Sequence, residues 1–141
     1  MAVVLPQRHR LRGRGVFDYL YKYGRRTHLG ALLLRVAPAA PELLRPGTQQ
    51  PDSLRFAVVI SSKVSKRAVV RNRLRRRLHD DFVQSCHPQS GRLRADLAPS
   101  WLLLSLKPSA TDLGDDGLLR EWNALLQQAG LIDDGNPHHP Q

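Results

Sequence analysis

Apolar positions recur along the chain with two periods, and each change of period marks a new element. Over residues 15–23, Val16, Leu20 and Tyr23 fall at helical spacing, as do Phe17 and Tyr21, which predicts a first helix. Gly24 follows the last periodic residue and reads as its cap. Leu29 to Val36 is a short apolar run of strand type. Pro38, Pro41, Pro46, Gly47 and Pro51 then break residues 37–53 into a loop, a long one for a compact domain. From Arg55 to Ser61 the chain alternates, with Phe56, Val58 and Ile60 on one side and Ala57, Val59 and Ser61 on the other. A hairpin through the long loop is expected to pair this strand with the preceding one. Lys66 to Cys86 reads as a second helix, because Val70, Leu74, Leu78 and Phe82 recur every four residues and form one stripe. His87-Pro88 ends it. After a loop over 87–99, Trp101 to Leu106 is a strand stopped by Lys107-Pro108. Asp112 to Gln128 is a third helix with Leu118, Leu119, Trp122, Leu125 and Leu126 on its apolar face, closed by Gly130.

The order helix, strand, strand, helix, strand, helix predicts an α+β domain. Its expected form is a two-layer α/β sandwich on a small mixed sheet with about three helices. A length of 141 residues suits one such domain, and a 41% hydrophobic content can fill its core. The division expected is a basic arm over 1–13, a folded domain over 14–131 and a disordered tail over 132–141. No apolar run approaches the length of a membrane-spanning helix. The N-terminus lacks the apolar core of a secretory signal. A single cysteine, Cys86, cannot form an internal disulfide, so the reducing cytoplasm is the expected compartment.

Charge changes this picture from a generic domain to one with a polyanionic partner. The chain holds 22 Lys and Arg against 12 Asp and Glu, a net +10. The excess is uneven: residues 1–77 carry 18 basic and 3 acidic residues, whereas residues 78–141 carry 4 basic and 9 acidic. Within Lys63 to Arg77, eight of fifteen residues are basic and none is acidic. On the second helix that arrangement is backwards, because helix N-termini favour acids and C-termini favour bases. Each misplaced charge costs about 0.3–1 kcal/mol before screening. A phosphate backbone against the helix start would offset the cost, since main-chain N–H groups there also attract anions. A solvated helix face usually alternates sign, and this one does not. Around the helix, Asn72, Arg75, Arg76 and His79 face away from the apolar stripe, Arg73 and Arg77 flank it, and Arg71 lies close to it. RNA or DNA is the expected contact, through Arg67, Arg71, Asn72, Arg73, Arg75 and Arg76.

The string Arg71-Asn72-Arg73-Leu74-Arg75-Arg76 resembles the signature of the bacterial ribonuclease P protein component. Three further segments match in the same order. Arg10, Leu11, Phe17, Tyr21 and Gly24 follow the family's basic arm and first helix. Val58-Val59-Ile60-Ser61-Ser62-Lys63 follows its Val-rich strand and Ser/Ala-Lys-Lys segment. Leu102 to Pro108 follows its last strand. The collinear resemblance covers about residues 8–130. It implies a protein that pairs with a large catalytic RNA and promotes endonucleolytic removal of the 5′ leader of precursor tRNA. The RNA subunit would hold the catalytic Mg²⁺ ions, and the protein would be a monomer within the ribonucleoprotein. By the same resemblance the arginine-rich helix contacts the RNA subunit. A cleft between the sheet and the first helix takes the single-stranded leader, with Phe17, Tyr21, Lys63 and Lys66 as leader-side residues. The implied fold includes a left-handed crossover between parallel strands, an exception to the usual hand. The chain departs from the pattern at Ser62, where the first Lys is expected, at His79, a commonly basic position, and at Ser100, a commonly acidic one.

Periodicity alone makes Phe17 and Tyr21 packing residues. Val16, Leu20 and Tyr23 already supply a buried stripe, so rings on its flank are free to stack on unpaired bases. Phe56 fits either the cleft or the core. The sequence holds no phosphate-binding loop, no Cys/His metal spacing and no nucleophile elbow. His138-His139 lies in the polar tail, and Asp80-Asp81 and Asp115-Asp116 point to different sides of their helices. These features leave no catalytic group or metal cage on the protein itself. The alternative function is a ribosomal or other structural-RNA-binding protein with no part in cleavage.

Overall fold

A computed structural model of the chain describes residues 9–44, 46–47, 54–87, 90–94 and 97–132. The expectations for residues 1–8 of the arm and for the tail over 133–141 lie outside the described residues. Seven main elements follow one another: α1 (Arg14–Tyr23), β1 (Arg25–Leu29), β2 (Leu32–Pro38), β3 (Arg55–Val59), α2 (Ala68–Cys86), β4 (Ser100–Leu106) and α3 (Gly114–Gln128). Short 3-10 turns occupy Pro41–Leu43 and Pro108–Asp112. Among the described residues no helix is long and apolar enough to cross a membrane.

The four strands form one mixed sheet in the order β1-β2-β4-β3. β1 pairs antiparallel with β2, β2 antiparallel with β4, and β3 parallel with β4. The expected hairpin between the second apolar strand and its predecessor is therefore absent. β4 lies between them, because Trp101 to Leu104 are buried on both faces and belong at the centre of a sheet. β2 finds its hairpin partner in β1 instead, a strand whose sequence, RRTHL, carries no apolar alternation. A two-residue turn closes that hairpin, and it requires positive φ at Gly30, which has φ 56°. Glu121 of α3 holds the turn, its Oε1 accepting the Ala31 N–H at 2.9 Å. A Cβ at position 30 would fall 2.5 Å from that same oxygen.

Three helices on a small mixed sheet, in one domain, is the sandwich the sequence predicts. α2 and α3 cover one face, where Leu32, Leu34, Phe56, Val58, Leu102 and Leu104 meet Leu74, Leu78, Phe82, Trp122 and Leu125. Truncating a fully buried residue such as Leu78 costs about 2–5 kcal/mol. A smaller layer adds to the other face, where Val16 and Leu20 of α1 pack with Leu11, Ala37, Trp101 and Leu103. Tyr23 does not complete the α1 stripe: it is the last residue of the helix, past the sheet contact, and 63% exposed. Gly24 does cap α1, donating to the Leu20 carbonyl at 2.9 Å, but in an extended conformation. Its lack of a side chain serves packing, since a Cβ there would come within 2.9 Å of the Arg35 Cβ.

Candidate RNA-binding faces

α2 begins without the features that usually neutralise a helix start. No side chain caps Arg67, and no acid occupies the first turn. The dipole and the unpaired N–H groups therefore add to the positive charge of Lys63, Lys66 and Arg67, all exposed on the loop before it. Val64 is buried and anchors that loop, and Arg71 reaches back to donate to the Ser65 carbonyl at 2.6 Å. Arg71, close to the apolar side of the wheel, thus turns its charge toward the loop. Asn72 organises the next turn. Its Oδ1 accepts from Arg75 Nη1 at 2.9 Å, and its carbonyl accepts from Arg76 Nε at 3.3 Å. Arg73 and Arg77 instead point toward α3, where Asp115 stands 3.9 Å from Arg73 Nε and 3.3 Å from Arg77 Nε. Asp115 occupies the first turn of α3, where the dipole favours an acid.

His79 is not on the outward face. Its ring meets the edge of Phe56 at 5.9 Å between centroids, and its pKa is lowered to about 4. Burial is the main cause, with the Arg75 and Arg10 charges adding to it. The N-terminal segment accounts for this covering. Arg10 bridges to Phe56 beside β3, the Arg55 guanidinium donates to the Arg10 carbonyl at 3.0 Å, and His9 Nδ1 lies 2.7 Å from the Leu54 carbonyl. The end of the basic arm is thus fixed along the sheet edge. Arg55, one of the basic residues of the first half, is buried; desolvation pulls its pKa down, and its role is structural.

The second face is the part of the sheet beside α1 that α1 leaves uncovered, where the resemblance implies a cleft. Phe17 is half-buried against the α1 cluster, while Tyr21 is 49% exposed. Arg35 of β2 lies against the Tyr21 ring, its Cζ 4.7 Å from the centroid. Such a contact restrains the ring and places a positive charge against it. Across the floor, the register aligns His28, Leu33, Ser105 and Val59 in one row over all four strands. Lys63 follows the C-terminal end of β3 at the same end of the sheet. Phe56 belongs to the opposite face: it is buried, stacked on Phe82 at 4.6 Å and tilted against Trp122 at 5.3 Å, so it is core. Phe17 and Tyr21 therefore sit on a different surface from the exposed arginines of α2.

Comparison with known proteins decides the family. A family model described as Ribonuclease P matches residues 5–130. The chain belongs to this family. It is 60% identical to the ribonuclease P protein component of Synechococcus sp. (strain RCC307), over 93% of this chain and 99% of that one. It is 47% identical to that of Parasynechococcus marenigrum (strain WH8102), over 92% and 98%. Among solved structures, the RNase P protein from Staphylococcus aureus superposes with a TM-score of 0.69 at 17% identity, covering 89% of this chain and 98% of that one. The RNase P protein from Thermotoga maritima gives 0.60 at 15% identity, over 86% and 94%. At these identities the structural likeness establishes the fold of the ribonuclease P protein. Arg35 and Asp115 are contributors to the two faces that residue patterns missed. Arg35 stands in an apolar run with no sign that Tyr21 would cover it, and Asp115 lies 38 residues from Arg77 in the sequence.

Proposed function

We infer that the chain serves as the protein subunit of ribonuclease P, promoting endonucleolytic removal of the 5′ leader of precursor tRNA. The observation that carries this reading is the pairing of a family match over residues 5–130 with two separate RNA-suited faces. The α2 face, with Arg67, Arg71, Asn72, Arg73, Arg75 and Arg76, takes the phosphates of the catalytic RNA subunit. Arg76 is exposed and Arg75 half-buried, both held by Asn72, and Arg71 ties the helix start to the loop before it. The cleft, with Phe17 and Tyr21, takes unpaired leader bases by stacking, and Lys63 and Lys66 supply charge at its end.

Within this reading the RNA subunit carries the chemistry, and the Mg²⁺ it needs is bound mainly by RNA. Among the described residues no three His, Cys, Asp or Glu side chains come together as a metal site. The protein acts as a monomer of the ribonucleoprotein, in the cytoplasm. Sequencing the RNA that copurifies with the tagged protein tests the proposal. One discrete large RNA together with precursor tRNA is expected; ribosomal RNA in their place would contradict it.

A further inference from the structure

Asp115 stands where the acidic half of the chain meets the basic one. It lies in the first turn of α3, after Gly114 at φ 69°, and faces Arg73 and Arg77 of α2. Those two arginines are four residues apart on one helix, an arrangement that by itself repels. Asp115 answers both: its Oδ1 is 3.9 Å from Arg73 Nε and its Oδ2 3.3 Å from Arg77 Nε. The Oδ1 atom is buried and makes no hydrogen bond, so the two guanidinium charges and the dipole of α3 hold the group in place. The arginine side chains remain 61% and 44% exposed. A guanidinium carries five donors in a fixed fork, and with the closest approach at Nε each can hold Asp115 and a phosphate together. The acids on α2 itself are engaged elsewhere. Asp80 Oδ1 accepts from Gln84 Nε2 at 3.3 Å, and both Asp81 oxygens accept from Arg92 Nη1, at 2.8 and 2.7 Å. Among the described residues, Asp115 is thus the one acid ion-paired with arginines of α2.

We propose that Asp115 is a positioning residue that sets the specificity of the α2 face: it holds Arg73 and Arg77 in one pose, so that they serve only phosphates placed to meet that pose. The proposal rests on the reading that α2 takes phosphates of the RNA subunit, and it adds what separates that RNA from any other. An arbitrary RNA laid along α2 must draw the two arginines off the carboxylate to use them. A folded RNA with phosphates at the matching spacing receives them where they stand. Exposed ion pairs are weak, so the carboxylate does not bar binding; it subtracts from each mismatched contact. Specificity is a difference of affinities, and lowering the affinity for wrong partners raises it as surely as improving contact with the right one.

The test measures binding of the full chain to its cognate RNA subunit and to a double-stranded RNA of arbitrary sequence, each over a range of salt concentrations. Asp115→Asn keeps the shape of the side chain and removes its charge. It should tighten binding to the arbitrary duplex and steepen that log–log salt slope by roughly 0.7–0.9 for each arginine released to a phosphate. Binding of the RNA subunit should change little, so the ratio of the two affinities should fall severalfold at low salt. Asp115→Glu, which keeps the charge, should keep the ratio close to wild type. In an R73Q/R77Q background Asp115→Asn should alter neither ratio nor slope, because the residues it acts through are gone. Thermal unfolding is followed for every variant. A carboxylate that only ties α3 to α2 would lower the melting temperature on removal and leave ratio and slope as in wild type, which would overturn the proposal. An effect of Asp115→Asn that persists without the two arginines would overturn it too. R75Q/R76Q separates this proposal from the reading beneath it. If that variant binds the RNA subunit as wild type does, the α2 reading fails and the proposal with it. If it binds weakly while Asp115→Asn leaves the ratio unchanged, the proposal alone fails.

Discussion

Tyr21 and Phe17 share a helix, but their surroundings give their removal different consequences. Tyr21 is half-exposed on the Arg35 guanidinium, so Tyr21→Ala should leave the melting temperature close to wild type. It should weaken binding of leader-bearing precursor by about 1–3 kcal/mol, the cost of one base left unstacked, with mature tRNA binding unchanged. Phe17 also packs against the α1 cluster, so Phe17→Leu is the cleaner probe: it keeps apolar volume and removes the ring. Folded variants with an unaltered preference for precursor over mature tRNA would make both rings packing residues only. His79 supports a prediction of its own. Its pKa is lowered from 6.5 to about 4, so between these values the unfolded chain binds a proton that the folded chain does not. The stability it contributes is full above pH 6.5 and declines as pH falls toward 4. Thermal unfolding followed from pH 7 to pH 4 should show this decline, and His79→Gln should flatten it relative to wild type. An identical pH profile in the variant would remove His79 as the cause.

At the scale of elements, α2 divides its arginines between those with partners beyond the helix and those bonded only within it. Arg71 is bound to the Ser65 carbonyl, and Arg73 and Arg77 face Asp115, whereas half-buried Arg75 and exposed Arg76 bond only to Asn72 of their own helix and pair with no acid among the described residues. Binding of the RNA subunit should therefore respond unequally. Arg75→Ala and Arg76→Ala should each flatten the log–log salt dependence by roughly 0.7–0.9, the effect of one phosphate no longer neutralised. Arg73→Ala should change it less, because Asp115 already screens that charge. Titrations over a range of salt concentrations check this, and equal slopes for all three variants would contradict the division. The existence and register of α2 were legible from its four-residue stripe, and so was its unusual charge. The destinations of Arg73 and Arg77 were not, since they depend on where α3 packs. β1 was illegible for a related reason: nothing in RRTHL alternates, and it is a strand because β2 offers an open edge and Gly30 makes the turn.

Across the whole molecule, the mixed sheet with three helices could be read from the alternation of periods, but the strand order could not. The order follows from placing the wholly apolar β4 at the centre, which parts β2 from β3 and leaves basic β1 at an edge. Phe56 shows the same limit at a single position, because alternation places it on a face without saying which helices cover that face. The charge asymmetry was legible in full. Its structural meaning is that the first half supplies α1, the face beside it and the start of α2, while α3 from the acidic half packs against α2 and the sheet. In the proposed function, two faces on one small scaffold would let the protein bridge a catalytic RNA and its substrate. The direct measurement is cleavage of precursor tRNA at low Mg²⁺ by the cognate RNA subunit, with and without the protein, beside the nuclease-treated protein alone. The account predicts that the protein accelerates leader removal by the RNA subunit and cleaves nothing by itself. Efficient cleavage by the protein free of RNA, or no acceleration when it is added, would contradict it.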